Sequence, residues 1–372
     1  MKQFSVIPVI KMMDTVEEFT KEYSMDKKDL VFVSGSVYKR FGSLLSREGI
    51  HIVNFANYPK GEPTDLLVEG ICKEIAGIDY DRVIAIGGGT VIDVAKLFSL
   101  EKVSPVVDLF QKKIPAIRSK KLVLIPTTCG TGSEVTNISI LELTTINSKF
   151  GLAVDELYAD EAVLIPELVK DIPLKFFATS AIDALIHSIE SYTSPKANAF
   201  TQAYSLQAMS MILKGFQAVA KGGDEAKRRL AGNFLYASCM AGIAFGNAGC
   251  AAVHAMSYPL GATHHVPHGE ANYAMFTGVY KTYQAIDPDG AIKDLNAFLA
   301  DILSCESDQI YVAIEALLDQ ILPKKALHEY GVTQEELVTY TETVMTQQTR
   351  LMNNNYVELD GETVMEIYQS LF

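Results

Sequence analysis

Positive charge is scarce in this 372-residue chain: 32 Lys and Arg stand against 45 Asp and Glu, a formal net charge of −13. A field of that sign repels phosphate backbones and anionic headgroups, which argues against nucleic acid or a membrane surface as partner. An anionic substrate would need a local positive feature at its site. Cysteine is also scarce, with five residues (Cys72, Cys129, Cys239, Cys250, Cys305) and no CxxC pair. An odd, scattered set excludes a disulfide framework and a thiolate metal centre, and fits neutral thiols in a reduced cytosol. Apolar runs such as 310–314 and 250–253 fall far short of the roughly 20 residues a membrane span needs. Residues 1–13 show no apolar core followed by a cleavage site, so the expected location is the cytoplasm. Internal repeats and low-complexity tracts are missing, and the asparagines at 353–355 make only a short turn-like polar patch. What remains is an ordinary globular mixture, 48% hydrophobic and 21% charged, long enough for two domains.

Short β-branched runs at 30–33, 82–86 and 121–125 are each followed by Gly, Pro or Ser, and segments 66–76 and 91–100 have helical spacing. Strand, turn, helix, strand predicts a parallel sheet with helices on both faces, whose ligands sit at the C-terminal strand ends. From about Phe176 the pattern changes. Segments 178–192, 199–220, 225–245, 291–303, 309–321 and 334–351 all have helical period. The prediction is an α/β nucleotide-binding domain over 1–175 and an all-helical metal-binding domain over 176–372, divided near Ile172-Pro173-Leu174.

Ile86-Gly87-Gly88-Gly89-Thr90-Val91-Ile92-Asp93 follows a predicted strand and opens a predicted helix. Three glycines let a backbone approach a pyrophosphate, and a helix N-terminus offers it free N–H groups. Thr90 suits the N-cap, and Asp93 three residues later fits helix capping better than chemistry. The spacing is not GxGxxG, so a plain tight turn is an equal reading of this segment alone. The next strand ends in Pro126-Thr127-Thr128-Cys129-Gly130-Thr131-Gly132-Ser133-Glu134, which crowds hydroxyls and small residues together. Two such segments at successive strand ends favour a nucleotide.

Asp183 and His187 stand four apart, on one face of a predicted helix, where they could share an ion or simply a hydrogen bond. A second cluster, His254, His264, His265 and His268, is interrupted by two orienting prolines, Pro259 and Pro267. Pro259 should end or kink the helix carrying His254, and Pro267 stiffens the approach to His268-Gly269, which can open the next one. One Asp with three neutral His is a borderline donor set that suits Fe(II) or Zn(II) and leaves a position for substrate oxygen.

GGGTVIDVAK, PTTCGTGSEVT, DALIHSIESY, FGNAGCAAVHA and SYPLG…PHGEAN occur in that order over nearly the whole chain. Together they resemble the iron-containing (group III) alcohol dehydrogenase family. The resemblance implies the fold shared with dehydroquinate synthase, an α/β domain joined to a helical one. It implies one divalent metal bound by Asp183, His187, His254 and His268. It further implies that Gly87, Gly88, Gly89 and Thr90 hold the cofactor pyrophosphate, that Thr127 and Thr128 contact the nucleotide, and that Lys149 lies near the nicotinamide ribose.

Two positions depart from the family pattern. Where many members carry His four residues after the ligand matching His254, this chain has Tyr258, and His265 is the substitute candidate for the catalytic proton relay. Where many NAD-dependent members carry Asp after the strand matching 30–33, this chain has Ser34-Gly35 with Lys39 and Arg40 nearby. The implied cofactor is NAD, with NADP left open. Within the family, SYPLG…HVPHGEAN, CGTGSEVTN and MNNNY are most similar to 4-hydroxybutyrate dehydrogenases. That implies hydride transfer between 4-hydroxybutyrate and succinate semialdehyde, although spacing alone names no residue for the distal carboxylate. Two alternatives stay open: a family member acting on uncharged short-chain alcohols, and a dehydroquinate-synthase-type lyase, whose chemistry wants more Lys and Arg than the ligand segments contain. A homodimer is the expected assembly.

Overall fold

The computed structural model describes residues 3–46, 48–59, 61–145 and 148–372. Their contacts define one compact unit over Val6–Asp171 and another over Ile172–Phe372, which also includes the described residues before Val6.

The first unit runs β1 (Val9–Met12), α1 (Val16–Tyr23), β2 (Asp29–Val33), α2 (Gly35–Leu45), β3 (His51–Asn54), α3 (Asp65–Glu74), β4 (Arg82–Gly87), α4 (Gly89–Leu97), α5 (Val106–Phe110), β5 (Lys121–Pro126), β6 (Ile138–Leu143), β7 (Ser148–Ala153), β8 (Glu161–Leu164) and α6 (Pro166–Val169). Six strands form one sheet in the order β1-β8-β5-β4-β2-β3, with every pairing parallel. Strand side chains alternate, and both faces are apolar. Leu30, Phe32, Val83, Ala85, Leu122 and Leu124 pack on one side, while Val31, Val33, Ile84, Ile86, Val123 and Ile125 pack on the other. Strands covered on both faces read as unbroken hydrophobic runs, which is why β2, β4 and β5 are visible in the sequence. The edge strand β1 and the four-residue β3 and β8 carry little of that signal. An antiparallel hairpin, β6–β7, lies outside the sheet.

The chain order reverses between β2 and β4: β3 lies outward on one side, β5 and β8 on the other. The register pairs Val33 with Ile86 and Ile86 with Ile125, so the loops after β2, β4 and β5 leave the sheet side by side. That edge is the switch point at which open α/β sheets bind ligands.

The second unit contains α7 (Leu174–Thr193), α8 (Ala199–Ala248), α9 (Ala252–His264), α10 (His268–Ile286), α11 (Ala291–Leu303), α12 (Ile310–Leu318), α13 (Gln334–Gln347), α14 (Thr349–Met352) and α15 (Gly361–Leu371). Asn198 caps α8 by accepting from the N–H groups of Phe200 and Thr201. Two helical segments expected at 199–220 and 225–245 form α8, which breaks at Gly223 with φ 56° and ψ −143°. Pro259 neither ends nor begins a helix: α9 runs through it to His264 and stops at His265, whose φ is 52°. A proline inside a helix costs about 3 kcal/mol through its missing N–H and ring clash. Here packing of α10 and α13 along α9 offsets that local cost. Before Val6, Phe4 stacks on Phe200, and Asn247 exchanges two hydrogen bonds with the Ser5 backbone. Among the described residues no single helix is long and apolar enough to cross a membrane.

Candidate functional site

Asp183, His187 and Glu190 occupy positions i, i+4 and i+7 of α7, one face of one helix. Helix α9 brings His254, and α10 begins with His268 directly after Pro267. Gly269 lets α10 meet α7. A Cβ on it would lie 2.2 Å from the Thr179 carbonyl oxygen and 3.2 Å from the Asp183 Cβ. Asp183 Oδ1 is 3.8 Å from Nε2 of both His254 and His268. The ligand atoms of Asp183, His254 and His268 all lie within 4.8 Å of one another. His187 stacks on Phe245 and on His254, with centroids 4.1 and 4.6 Å apart, and groups instead with His254 and Cys250. Burial pushes the Cys250 thiol up, which keeps it neutral.

Glu190, fully buried, organises His254. One oxygen lies 2.5 Å from His254 Nδ1, and the other accepts the Val253 N–H at 2.8 Å. A carboxylate at Nδ1 assigns the proton to that nitrogen and leaves Nε2 as an acceptor. Among the described residues, His254 Nε2 is buried without a hydrogen-bond partner. A buried lone pair in that state is costly unless a cation satisfies it. On α10, Asn272 donates to Asp183 Oδ1 at 2.7 Å and sits 3.2 Å from His268 Nε2. Burial pushes the Asp183 carboxyl up, but His187, His268 and His254 with Asn272 outweigh it and hold the group below its usual range. Asp183 and His254 expose 4% and 3% of their side chains and His268 exposes 34%, so the cluster opens on the His268 side.

The remaining histidines lie elsewhere. His264 pairs with Glu336 at 3.1 Å, and His265 is the exposed C-cap of α9, so the structure does not bring His265 into the cluster. Tyr258 does approach, its ring 6.0 Å from that of His268.

In the α/β unit, Gly88 rather than Thr90 is the N-cap of α4, and it makes no side-chain cap bond. Starting the helix at Gly89 places Asp93 beyond the first turn, where it cannot reach back to the cap. Its carboxylate accepts from Ser133 Oγ and from the Ile140 N–H instead. Lys96 is fully buried beside it and donates to Ser133 Oγ at 2.8 Å and the Ile138 carbonyl at 2.7 Å. This pair fastens α4 to segment 133–140.

The glycines make room for side chains of their own unit. A Cβ on Gly87 would lie 2.4 Å from Val91 Cβ; on Gly88, 3.2 Å from Thr128 Cγ2; on Gly89, 2.9 Å from Thr131 Cγ2. The leading N–H groups of α4, including that of Thr90, have no acceptor within the helix. Beside them, Thr128 Oγ1 is buried and has no hydrogen-bond partner among the described residues. Both features fit an anionic oxygen. Thr127 is committed through its N–H to the Gly87 carbonyl at 3.0 Å. Lys149, on β7, pairs with Glu62 at 2.9 Å. At the end of β2 a Cβ on Gly35 would lie 2.8 Å from Ala56 Cβ and 3.3 Å from its Cα, so no side chain fits there. Arg40 is held by Asp171 at 3.0 Å.

The fold has counterparts in known proteins. A family model described as iron-containing alcohol dehydrogenase matches residues 11–166, and its C-terminal counterpart matches 177–372. The chain belongs to the iron-containing alcohol dehydrogenase family. This alcohol dehydrogenase is 45% identical over 372 residues to a 4-hydroxybutyrate dehydrogenase of Clostridium kluyveri, covering all of both chains. It is 34% identical over 305 residues to long-chain-alcohol dehydrogenase 1 of Geobacillus thermodenitrificans, covering 79% of this chain and 75% of the relative. Among solved structures it is similar to a 1,3-propanediol oxidoreductase, with a TM-score of 0.85 at 25% identity and full coverage of both chains.

Three residues around the Asp183, His254 and His268 cluster are given no role in it by sequence reasoning. Glu190 carries a signal, since 183, 187 and 190 share a helical face, and Asn272 lies one turn beyond His268. Gly269 carries none, because its role depends on where α7 lies.

Proposed function

We propose that this alcohol dehydrogenase interconverts 4-hydroxybutyrate and succinate semialdehyde with NAD, using one divalent ion, Fe(II) or Zn(II), held by Asp183, His187, His254 and His268. The observation that carries the metal reading is the buried, unpartnered His254 Nε2 facing Asp183, with Glu190 fixing the opposite nitrogen. The full-length 45% identity to the Clostridium kluyveri enzyme supports the substrate. When bound, the ion supplies Lewis-acid polarisation of the substrate oxygen. The chain's own residues then have defined tasks. Glu190 holds His254 in one tautomer, Asn272 orients the Asp183 carboxylate, and burial of Asp183 and His254 keeps water from their side of the cluster. His268, more exposed, leaves the side by which substrate arrives. His265 lies outside the cluster, and we assign it no step.

For the cofactor, Gly87, Gly88, Gly89 and Thr90 would hold the pyrophosphate, with Thr127, Thr128 and Lys149 along the nucleotide. The unpartnered Thr128 hydroxyl and the uncapped α4 terminus support this placement. Hydride transfer is the nicotinamide's chemistry, which the protein positions. NAD is favoured over NADP because Arg40, the nearest guanidinium in sequence to the β2 end, is already held by Asp171.

One initial-rate panel tests the reading: NADH and NADPH against succinate semialdehyde, butyraldehyde and lactaldehyde. The expected result is a preference for NADH and succinate semialdehyde. A preference for butyraldehyde would overturn the substrate and leave the family intact.

A further inference from the structure

The scattered cysteines exclude a centre built of several thiolates, yet the fold carries one thiol to two of the proposed metal ligands. Among the described residues, the ligand atoms of His187, Cys250 and His254 lie within 4.8 Å of one another, and all three side chains are buried. We propose that these three residues form a second cation site, which overlaps the Asp183 set through His254 and takes a thiophilic divalent ion such as Cd(II). An ion seated there withdraws His187 and His254 from the ion proposed for hydride transfer. The site is a point of metal discrimination and of inhibition by soft cations. Its inhibitory effect rests on His187 and His254 being ligands of the catalytic ion.

Each donor is fixed by a different part of the helical unit. His187, on α7, stacks on Phe245 at 4.1 Å and on the His254 ring at 4.6 Å. Cys250 lies in the turn from α8 into α9, directly after Gly249, whose φ is 80°. Buried Asn354 clamps that turn. It accepts from Ser194 Oγ at 3.1 Å and donates to the carbonyls of Ala248 and Cys250 at 2.9 and 3.1 Å. A Cβ on Gly249 would lie 2.9 Å from Asn354 Nδ2 and crowd the clamp. His254 follows on α9, with its Nδ1 2.5 Å from Glu190. Tetrahedral ligation asks for sulfur and nitrogen roughly 3.5–4 Å apart. Donors already gathered this closely can close on an ion by small side-chain rotations.

The two donor sets differ in softness. One thiolate with two imidazoles suits a soft ion, whereas Asp183 with His254 and His268 presents a carboxylate oxygen and suits Fe(II). Binding exchanges the Cys250 proton for the ion: the S–H bond breaks, the S–Cd bond forms, and the proton leaves to solvent. A divalent ion with one thiolate leaves a net charge of about +1 in the buried set, and the Glu190 carboxylate beside His254 compensates it. Access separates the sets as well. His268 exposes 34% of its side chain, while His187, Cys250 and His254 are all buried. A substrate oxygen arriving on the His268 side finds no open position on an ion drawn in beside Cys250, so that form does not turn over.

The test titrates Cd(II) into chelator-stripped wild type, Cys250→Ser and Asp183→Asn, reading affinity and the ultraviolet thiolate-to-cadmium charge-transfer band. One equivalent should develop the band in wild type and in Asp183→Asn. Cys250→Ser should lose the band and bind Cd(II) about 100-fold more weakly, the share of one ligand in a structural site. X-ray absorption on the wild type, which depends on no variant folding, should find one sulfur around Cd(II) and none around Fe(II). The cadmium-loaded enzyme should stay inactive with NADH and succinate semialdehyde until Cd(II) is chelated and replaced by Fe(II). A band that survives in Cys250→Ser, or a cadmium shell without sulfur, would overturn the proposal. Failure of Fe(II) to bind the wild type while the cadmium band persists would bring down the catalytic metal reading, and the inhibitory role with it, but not the site.

Discussion

The proposed nucleotide turn of the α/β unit is made of consecutive residues, Gly87 to Thr90, whereas the proposed metal corner gathers side chains from three helices between Asp183 and His268. The glycines of the two sites make the difference concrete. Gly88 and Gly89 of the turn face the side-chain methyls of Thr128 and Thr131, and Gly87 faces the Val91 Cβ, while Gly269 faces the backbone carbonyl of Thr179. A side chain can yield by rotation or by substitution, but a carbonyl inside α7 cannot. At Gly88 and Gly89 the turn is therefore a local device that tolerates repair, and the proposed metal corner is a tertiary device that does not.

The largest effect should come from Gly269→Ala. Overpacking against a helix backbone costs about 1–3 kcal/mol or more, and relief requires α10 to leave α7, taking His268 from Asp183. Metal content after dialysis and the thermal midpoint should both fall, with the midpoint no longer raised by added Fe(II) or Zn(II). Retention of stoichiometric metal would break the comparison.

Glu190→Gln comes next. Removing a carboxylate that orients a ligand imidazole typically weakens metal binding about 10- to 100-fold, so a competition titration should show that loss with the fold intact. An unchanged affinity would mean that His254 is fixed by packing alone.

Gly89→Ala should be milder, weakening NADH binding about tenfold if roughly 1.4 kcal/mol of crowding is passed to the cofactor. Its partner is Thr131 Cγ2, so Thr131→Ser in the same chain should restore much of the affinity. Failure of that rescue would show that the glycine serves the cofactor directly rather than the neighbouring loop. The smallest effect is expected from Arg40→Ala. The guanidinium is held by Asp171 in a partly exposed pair of low worth, so the NADH-to-NADPH preference should move less than about twofold.

The same contrast explains what was legible in the sequence. β2, β4 and β5 are readable because burial on both faces leaves an unbroken apolar run, and the glycine turn is readable because its parts are adjacent. Asp183 and His187 are visible as a helical pair, and His254 and His268 as histidines beside prolines, but spacing could not put His187 with Cys250 rather than with His268. Pro259 misleads because tertiary packing along α9 overrides a local helix-breaking preference. Asp93 misleads because the cap falls one residue before the helix at Gly88, which turns the carboxylate toward Ser133. Asn354 reads as part of a polar turn, and only the fold shows it clamping the α8–α9 corner. The short strands β1, β3 and β8 lack enough residues for a period to emerge.

The most direct test of the central claim is metal titration into chelator-stripped enzyme, followed by NADH-linked reduction of succinate semialdehyde. Activity should return with one Fe(II) or Zn(II) per chain in wild type and should not return in Asp183→Asn. Full turnover in the metal-free protein, or restoration in Asp183→Asn at the same stoichiometry, would contradict it.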